Sequence, residues 1–336
     1  MHPSHATSYR EPELVTSAGL GTAVAPQTNG PACPRVLVLL ATYNGAAWIR
    51  EQMESILAQR DVDVRVAVRD DCSTDGTRLE LARFAGDPRV RIVAADGPSG
   101  SAAANFLTLI TENPAGNCEL IAFADQDDCW NPEKLSRAGR MLASSRAAGY
   151  SSATLAVWEN GRQRLLRPSG LPTAADFLFE GAGQGCTFVL TAALYEEVRR
   201  FLASHRPAAG TLHYHDWLVY ALARAWDRQW FFDGQPSMKY RQHAGNDTGA
   251  RGTLDGIVKR LARIRQGWYR TQLLAIASAC AQAAPDNARV YAWHQELLRP
   301  GSWRRRIRIA RFCMRGGRRR TRDNLTVVFA ALCGWI

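Results

Sequence analysis

From Arg35 onward the chain alternates between unbroken apolar runs and stretches whose apolar residues recur every three or four positions. RVLVLLA at 35–41 is apolar after its first residue, which predicts a strand buried on both faces. GAAWIREQMESILAQ follows, with Trp48, Ile49, Met53, Ile56 and Leu57 at helical spacing. VDVRVAV at 62–68 predicts a second strand ending in Arg69-Asp70-Asp71, with Ser73, Thr74 and Asp75 as cap candidates for a helix in GTRLELARFA. RVRIVAA predicts a third strand, followed by a loop of small residues, DGPSGSAAAN, and a helix beginning near Asn105 and Phe106. ELIAFA predicts a fourth, which ends abruptly in Asp125, Asp127 and Asp128. Asn131-Pro132-Glu133 then predicts a helix start, with Asn as cap and Pro in the first turn. This alternation predicts βαβ units and a mostly parallel sheet of the α/β class.

Past residue 150 the rhythm changes. SSATLAVW and GCTFVLT predict strands, LYEEVRRFLASH and HDWLVYALARAW helices, and QWFF and MKYRQH two short strands. After Gly252 the pattern is helical and dense in arginine, as in RRRIRIARF and RGGRRRTR. The first 34 residues, rich in Pro, Gly, Ser and Thr, predict a flexible tail without a secretory signal. The expected organisation is a tail at 1–34, an α/β domain at 35–250 whose rhythm loosens in its second half, and a basic helical region at 251–336.

Composition narrows the classes. With 46% hydrophobic residues the chain can build a large core, and its formal charge of +11 invites an anionic partner. Eight scattered cysteines include no C-x-x-C pair, so reduced thiols in a cytoplasmic protein are expected rather than zinc or redox chemistry. The late apolar run LTVVFAALCGWI is too short to cross a bilayer.

Three strand ends carry polar groups toward one edge of one sheet: Thr42 to Asn44, Asp70 to Asp71, and Asp125 to Asp128. Thr42, Tyr43 and Asn44 stand before a helix, where hydroxyl, amide and N–H groups suit an anionic or nucleobase ligand, though strand-to-helix capping explains them equally. Asp70 and Asp71 suit a base N–H or a ribose hydroxyl, or else cap the next helix; the glycine fingerprint of a dinucleotide site is missing after the first strand. Asp125 and Asp127, at the spacing of hard-oxygen ligands, suit Mg²⁺ or Mn²⁺ neutralising a diphosphate, or form a solvated acidic turn. Asp216, at the start of a helix behind His213 and His215, is a candidate general base or an acid favoured by the helix dipole. His243 completes a metal site or is a structural imidazole.

The ordered set ATYNG (41–45), RDDCSTDGT (69–77), ANF (104–106), FADQDDCW (123–130), GCTFVL (185–190), HDW (215–217) and YRQHAGNDTG (240–249) resembles family 2 glycosyltransferases, and within them the rhamnosyltransferase branch. The resemblance implies a GT-A fold: a Rossmann-like mixed, mostly parallel sheet flanked by helices, in a glycosyltransferase domain at 35–250 made of a nucleotide-binding half (35–130) and an acceptor half (131–250), here with a helical C-terminal extension. It implies an inverting, metal-dependent transfer of a sugar, L-rhamnose from dTDP-rhamnose, to a saccharide or lipid-linked acceptor in bacterial surface polysaccharide synthesis. Carried over by position, Thr42, Tyr43, Asn44, Asp70 and Asp71 surround the nucleoside, Gln126 joins the donor contacts, and Gly185 and Cys186 line the sugar and acceptor pocket. Asp125, Asp127 and His243 hold Mg²⁺ or Mn²⁺, with Asp127 the direct ligand, and Asp216 is the base.

Cys72 departs from the family's usual Gly, which would cost about 1 kcal/mol if the backbone there needs positive φ. Cys129 replaces an aliphatic residue and imitates it. Two other classes fit the sequence less well. A sugar-phosphate nucleotidylyltransferase should carry an early Gly-rich loop with basic residues, and TYNG stands there instead. No nucleic-acid partner is expected, since the basic residues lie away from the acidic motifs and no homeodomain, RRM or zinc-finger pattern is present. The Arg-rich region, interleaved with Trp268, Trp303, Phe312, Phe329 and Trp335, suggests peripheral contact with the anionic inner face of a cell membrane, against the alternative of an ordinary solvated helical face.

Overall fold

A computed structural model describes residues 33–168, 170–208, 210–243 and 262–336. The predicted tail up to residue 32, residues 244–249 of the YRQHAGNDTG motif and the first part of the basic region lie outside the described residues. In chain order the elements are β1 (Arg35–Thr42), α1 (Ile49–Leu57), β2 (Asp63–Asp70), α2 (Thr77–Ala82), β3 (Val90–Val93), α3 (Ala102–Glu112), β4 (Leu120–Ala124), β5 (Cys129–Trp130), α4 (Lys134–Ser145), β6 (Gly149–Trp158) and β7 (Gln163–Leu166). There follow β8 (Val189–Thr191), α5 (Ala192–Ser204), α6 (His215–Ala225), β9 (Trp230–Gln242), α7 (Trp268–Ala283), α8 (Ala288–Leu298), α9 (Trp303–Met314) and α10 (Thr321–Leu332).

The strands form one mixed sheet in the order β3-β2-β1-β4-β8-β6-β9-β5, with β7 beside β6. β3, β2, β1 and β4 are parallel, and the direction reverses at β8. The unbroken apolar character of β1 has a direct cause: Leu37 and Leu39 enter one core with α3, α5 and α6, while Val36, Val38 and Leu40 enter a second with α1 and α4. At their carboxyl ends Thr42 lies opposite Asp70, and Leu40 opposite Ala124, so the polar residues after three strands share one edge.

QWFF and MKYRQH are one strand rather than two: β9 runs for 13 residues alongside β6, and register shifts near Ser152 and Ala153 absorb its Gly and Pro. β5 pairs antiparallel with β9, Cys129 opposite Lys239, which carries the end of β9 past the acidic loop. Most of GCTFVLT is likewise not strand, since Gly185–Thr187 form a 3-10 turn before the short β8. α3 begins at Ala102, capped by Ser101, whose hydroxyl accepts from the Ala104 N–H at 3.1 Å. Asn131 is not the side-chain cap of α4, which starts at Lys134; its amide donates to the Pro236 carbonyl at 3.0 Å instead.

The arginine-rich end divides. Arg319 and Arg318 turn inward to Asp176 and Glu180, and Arg305 donates to the carbonyls of Glu296, Leu297 and Ile336. Phe312 stacks on Trp293 in the core, while Trp303 and Phe329 remain exposed. These inward arginines serve tertiary structure, because each finds a carboxylate or a row of free helix-end carbonyls.

Candidate active site

The site starts from the turn after β1. Thr42 Oγ and the Tyr43 N–H both donate to Gln126 Oε1 at 2.7 Å, and Gln126 Nε2 returns a bond to the Tyr43 carbonyl at 3.0 Å. Gln126 therefore ties the first strand to the acidic loop. A Cβ on Gly45 would meet Gln126 Oε1 at 2.5 Å, which accounts for glycine there. Asn44 adopts φ 51°, a conformation Asn tolerates, and its Oδ1 accepts the Thr74 N–H at 2.9 Å. Tyr43, 54% exposed, presents its ring to solvent beside these groups.

Asp70 and Asp71 are both buried and differ in their partners. Asp70 accepts from the Ser73 N–H, the Ser73 hydroxyl and Arg78. Asp71 accepts from Arg69 at 2.9 Å, the Ser99 N–H at 2.6 Å and the Ser99 hydroxyl at 2.9 Å. Burial opposes ionisation of Asp71, yet these donors outweigh it and hold the carboxyl below its ordinary range. Each carboxylate has room for a further donor. Cys72 has φ 62°, the left-handed backbone for which a glycine would be the unstrained choice.

The acidic loop is where distant segments meet. Asp127 Oδ2 lies 2.8 Å from His243 Nε2, and Trp48 stacks on that imidazole with ring centroids 3.9 Å apart. Arg241 donates to the Asp127 carbonyl at 3.1 Å. Burial, then the charges of Asp127 and Asp216, push the Asp125 carboxyl up to about 7. Asp216 heads α6, its Oδ1 accepting the Trp217 N–H at 2.7 Å, with a further bond from the Gly185 N–H. Burial outweighs both bonds and raises Asp216 to about 6. A Cβ on Gly185 would lie 2.9 Å from Asp216 Cβ, so only glycine lets the 3-10 turn close on this carboxylate. His215 stacks on Phe106 at 3.9 Å, and burial drops it to about 3, leaving it neutral.

Asp128 is fully buried and, among the described residues, its oxygens find no nitrogen or hydroxyl donor, only the Cys186 thiol nearby; donor atoms of Asp125, Asp128 and Cys186 lie within 4.8 Å of one another. Burial and the charges of Asp127 and Asp125 hold Asp128 well above the usual carboxylate range. Lys134 is buried nearby, donating to the Cys186 carbonyl at 2.5 Å and lying 3.3 Å from the centre of the Trp130 ring. Burial lowers it to about 7 against the pull of these acids. Asp127 and His243 present oxygen and imidazole nitrogen, a donor pair that fits Mn²⁺ well and Mg²⁺ less fully; the buried group with Cys186 offers a thiol that hard cations do not favour.

Hydrogen bonds join Thr42 and Tyr43 to Gln126 and Asp127 to His243, the Asp71 N–H donates to the Thr42 carbonyl at 2.8 Å, and the charge of Asp216, held by the Gly185 N–H, acts on Asp125. The sequence did not reveal Trp48, Arg69, Ser99 or Lys134 as participants. Trp48 has the spacing of a helical core residue, Arg69 stands in the RDDCSTDGT motif with no role of its own, and no local pattern marks Ser99 or Lys134. An open groove of about 880 Å³ runs beside Arg69 and Ser99, bounded also by Thr108 and Arg206, and none of Asp125, Asp127, Asp216 or His243 lines it.

Residues 37–174, which include most of β1, all of β2 and the acidic loop, match the model of glycosyl transferase family 2. Over 244 residues the chain is 37% identical to the dTDP-rhamnosyl transferase RfbG of Shigella flexneri, covering 72% of this chain and 84% of that protein. The chain is a family 2 glycosyltransferase. This glycosyltransferase is also 40% identical over 119 residues to the succinoglycan biosynthesis protein ExoO of Rhizobium meliloti (strain 1021), covering 34% of the chain and only 31% of that relative. Among solved structures it resembles S. aureus TarS 1-349 in complex with UDP-GlcNAc, with a TM-score of 0.52 at 17% identity, covering 90% of this chain and 80% of that one. That likeness is one of fold, and it establishes the GT-A architecture.

Proposed function

We propose that this glycosyltransferase moves L-rhamnose from dTDP-rhamnose to a saccharide or lipid-linked acceptor, with inversion at the anomeric carbon and with a divalent cation. The observation that carries this reading is the meeting of Asp216 with the acidic loop, where its charge acts on Asp125 while His243 contacts Asp127. A base and a diphosphate-facing cluster at one site are what a single in-line displacement needs. The rhamnose assignment is supported by the relative named as a dTDP-rhamnosyl transferase.

In this reading the nucleotide-binding half, 35–130, receives the donor. Tyr43 offers a ring face to the base, and Asp70 and Asp71 offer acceptors to base N–H or ribose hydroxyl groups. Asp127, His243 and the neighbouring Asp125 would hold Mn²⁺ or Mg²⁺, which supplies charge neutralisation for the departing diphosphate. From the acceptor half, 131–250, Asp216 takes the proton of the acceptor hydroxyl as its oxygen bonds to the anomeric carbon and the bond to the diphosphate breaks. Gly185 holds its N–H on Asp216 and keeps the carboxylate from turning away. A lipid-linked acceptor would bring the enzyme to the cytoplasmic face of a membrane.

Purified protein offered dTDP-rhamnose, UDP-glucose and GDP-mannose should release nucleotide diphosphate chiefly from the first, with Mn²⁺ stimulation that EDTA removes. Asp127→Ala should abolish that stimulation. Equal turnover with EDTA, or release from another donor alone, would overturn the metal or the sugar assignment respectively.

A further inference from the structure

Nearly the whole formal excess of +11 is concentrated at the carboxyl end, where eleven arginines and a single acidic residue, Asp323, fall between Arg299 and Ile336. α9 and α10 pack together as a hairpin: Arg305 near the start of α9 reaches the Ile336 carbonyl, and Arg306 closes on Gly334. Each helix buries one face in the core shared with the sheet, through Ile309, Ala310 and Cys313 on α9 and Val327, Ala330 and Ala331 on α10.

The opposite faces differ in chemistry. On α9 the outward positions Arg304, Arg311 and Arg315 are exposed and form a basic stripe at helical spacing, with Arg308 between them already paired to Glu296 at 2.9 Å. On α10 the outward positions are Leu325, Phe329 and Leu332, with exposures of 60%, 55% and 49%. They stand diametrically opposite the buried Val327, Ala330 and Ala331 at about 100° per residue. Trp335 packs edge-on against Phe329 at 5.6 Å, and Trp303, 66% exposed, projects at the same end of the hairpin. An outward apolar stripe on a helix that already buries its other face has no use within the fold.

We propose that the α9–α10 hairpin is a docking surface for an anionic lipid bilayer, in which α10 inserts Leu325, Phe329 and Leu332 at the headgroup boundary while the α9 arginines hold acidic headgroups. The occupant is chosen by charge complementarity. A bilayer of acidic lipids offers negative charge and an apolar layer together, matching a basic stripe beside an apolar one. A nucleic acid answers only the arginines, and a second copy of this chain would set one basic stripe near another. The proposal deepens the reading of a lipid-linked acceptor, since docking would hold the enzyme where such an acceptor lies.

Full-length protein is sedimented with vesicles of phosphatidylcholine alone and of phosphatidylcholine with phosphatidylglycerol, at low and high salt, while its mass in solution is measured alongside. Binding is expected only with phosphatidylglycerol. The triple variant Arg304→Gln, Arg311→Gln, Arg315→Gln should lose about fivefold per arginine at low salt. Leu325→Glu with Phe329→Glu should lose at least tenfold while keeping the melting temperature and soluble transfer of the parent. Asp127→Ala should sediment like the parent, which separates docking from catalysis. Absent binding at low salt, binding unchanged by the apolar double variant, capture by RNA but not vesicles, or a dimer that the double variant dissociates would each overturn the proposal.

Discussion

The base role proposed for Asp216 rests on a setting that its neighbours in sequence do not give it. A helix-start aspartate usually stays ionised because N–H groups and the helix dipole favour the anion. Here burial wins and lifts the carboxyl to about 6, within reach of a working base. In the proposed mechanism the base form is the anion, so activity should fall as pH drops through the value of this group. The expected profile of kcat/KM has an acidic limb near pH 6 with a tenfold loss per unit below it. Asp216→Asn should lose about 10² to 10⁴-fold in transfer and the limb with it, while calorimetry still finds donor binding. A variant with parental rates, or a limb that survives the substitution, would contradict the assignment. The residue types and their order were legible in the sequence because strand ends punctuate it. Trp48 on His243 and Lys134 beneath Cys186 were not, since each partnership joins segments whose distance in sequence carries no local pattern.

At the scale of elements, the strands and helices buried on a clear face were readable, and the misreadings have physical causes. β9 contains Gly234 and Pro236, which read as a break, but pairing on both sides with β6 and β5 carries the strand through them with register shifts. α4 follows Asn131-Pro132 without using the Asn side chain as cap, because a carbonyl of β9 claims it. The arginines of RGGRRRTR looked like a solvated run, since their carboxylate partners stand far away in sequence. Asp176, fully buried, accepts from Arg319 at 2.7 Å, Arg224 at 3.1 Å and Tyr220 at 2.6 Å, while Glu180 accepts from the Arg319 N–H at 2.6 Å and from Arg318. Removing one partner from such a network leaves charge buried and unmatched. Arg319→Leu is expected to cost about 3–5 kcal/mol, read as a drop in urea midpoint, whereas exposed Arg320→Leu should change it by less than about 0.5 kcal/mol. Similar midpoints for the two variants would refute a tertiary role for Arg319.

For the molecule as a whole, the decisive feature is that the carboxyl-terminal helices belong to the same core as the catalytic sheet. Phe179 packs on Trp293 at 4.7 Å and on Phe312 at 6.1 Å, and Trp293 stacks on Phe312 at 4.8 Å. The turn between α9 and α10 is stitched to the segment before the 3-10 turn at Asp176–Leu178, where the Ala175 N–H and Thr173 hydroxyl both donate to the Gly316 carbonyl. That segment leads through Phe177, whose carbonyl accepts from the Trp217 indole, to the helix bearing Asp216. Deleting residues 300–336 would uncover Phe179 and Trp293 and leave Asp176 and Glu180 without Arg318 and Arg319. Several large apolar side chains at roughly 1.5–3 kcal/mol each, added to a Glu180 carboxylate stripped of both its arginines, exceed a large part of the stability of an ordinary domain. The truncated chain should therefore accumulate as aggregate, and in the full-length protein tryptophan fluorescence and far-UV circular dichroism should report one coincident thermal transition. A soluble truncation melting at the parent's temperature, or two separated transitions in the parent, would show that the basic helices fold as an independent unit and that the position of Asp216 owes them nothing.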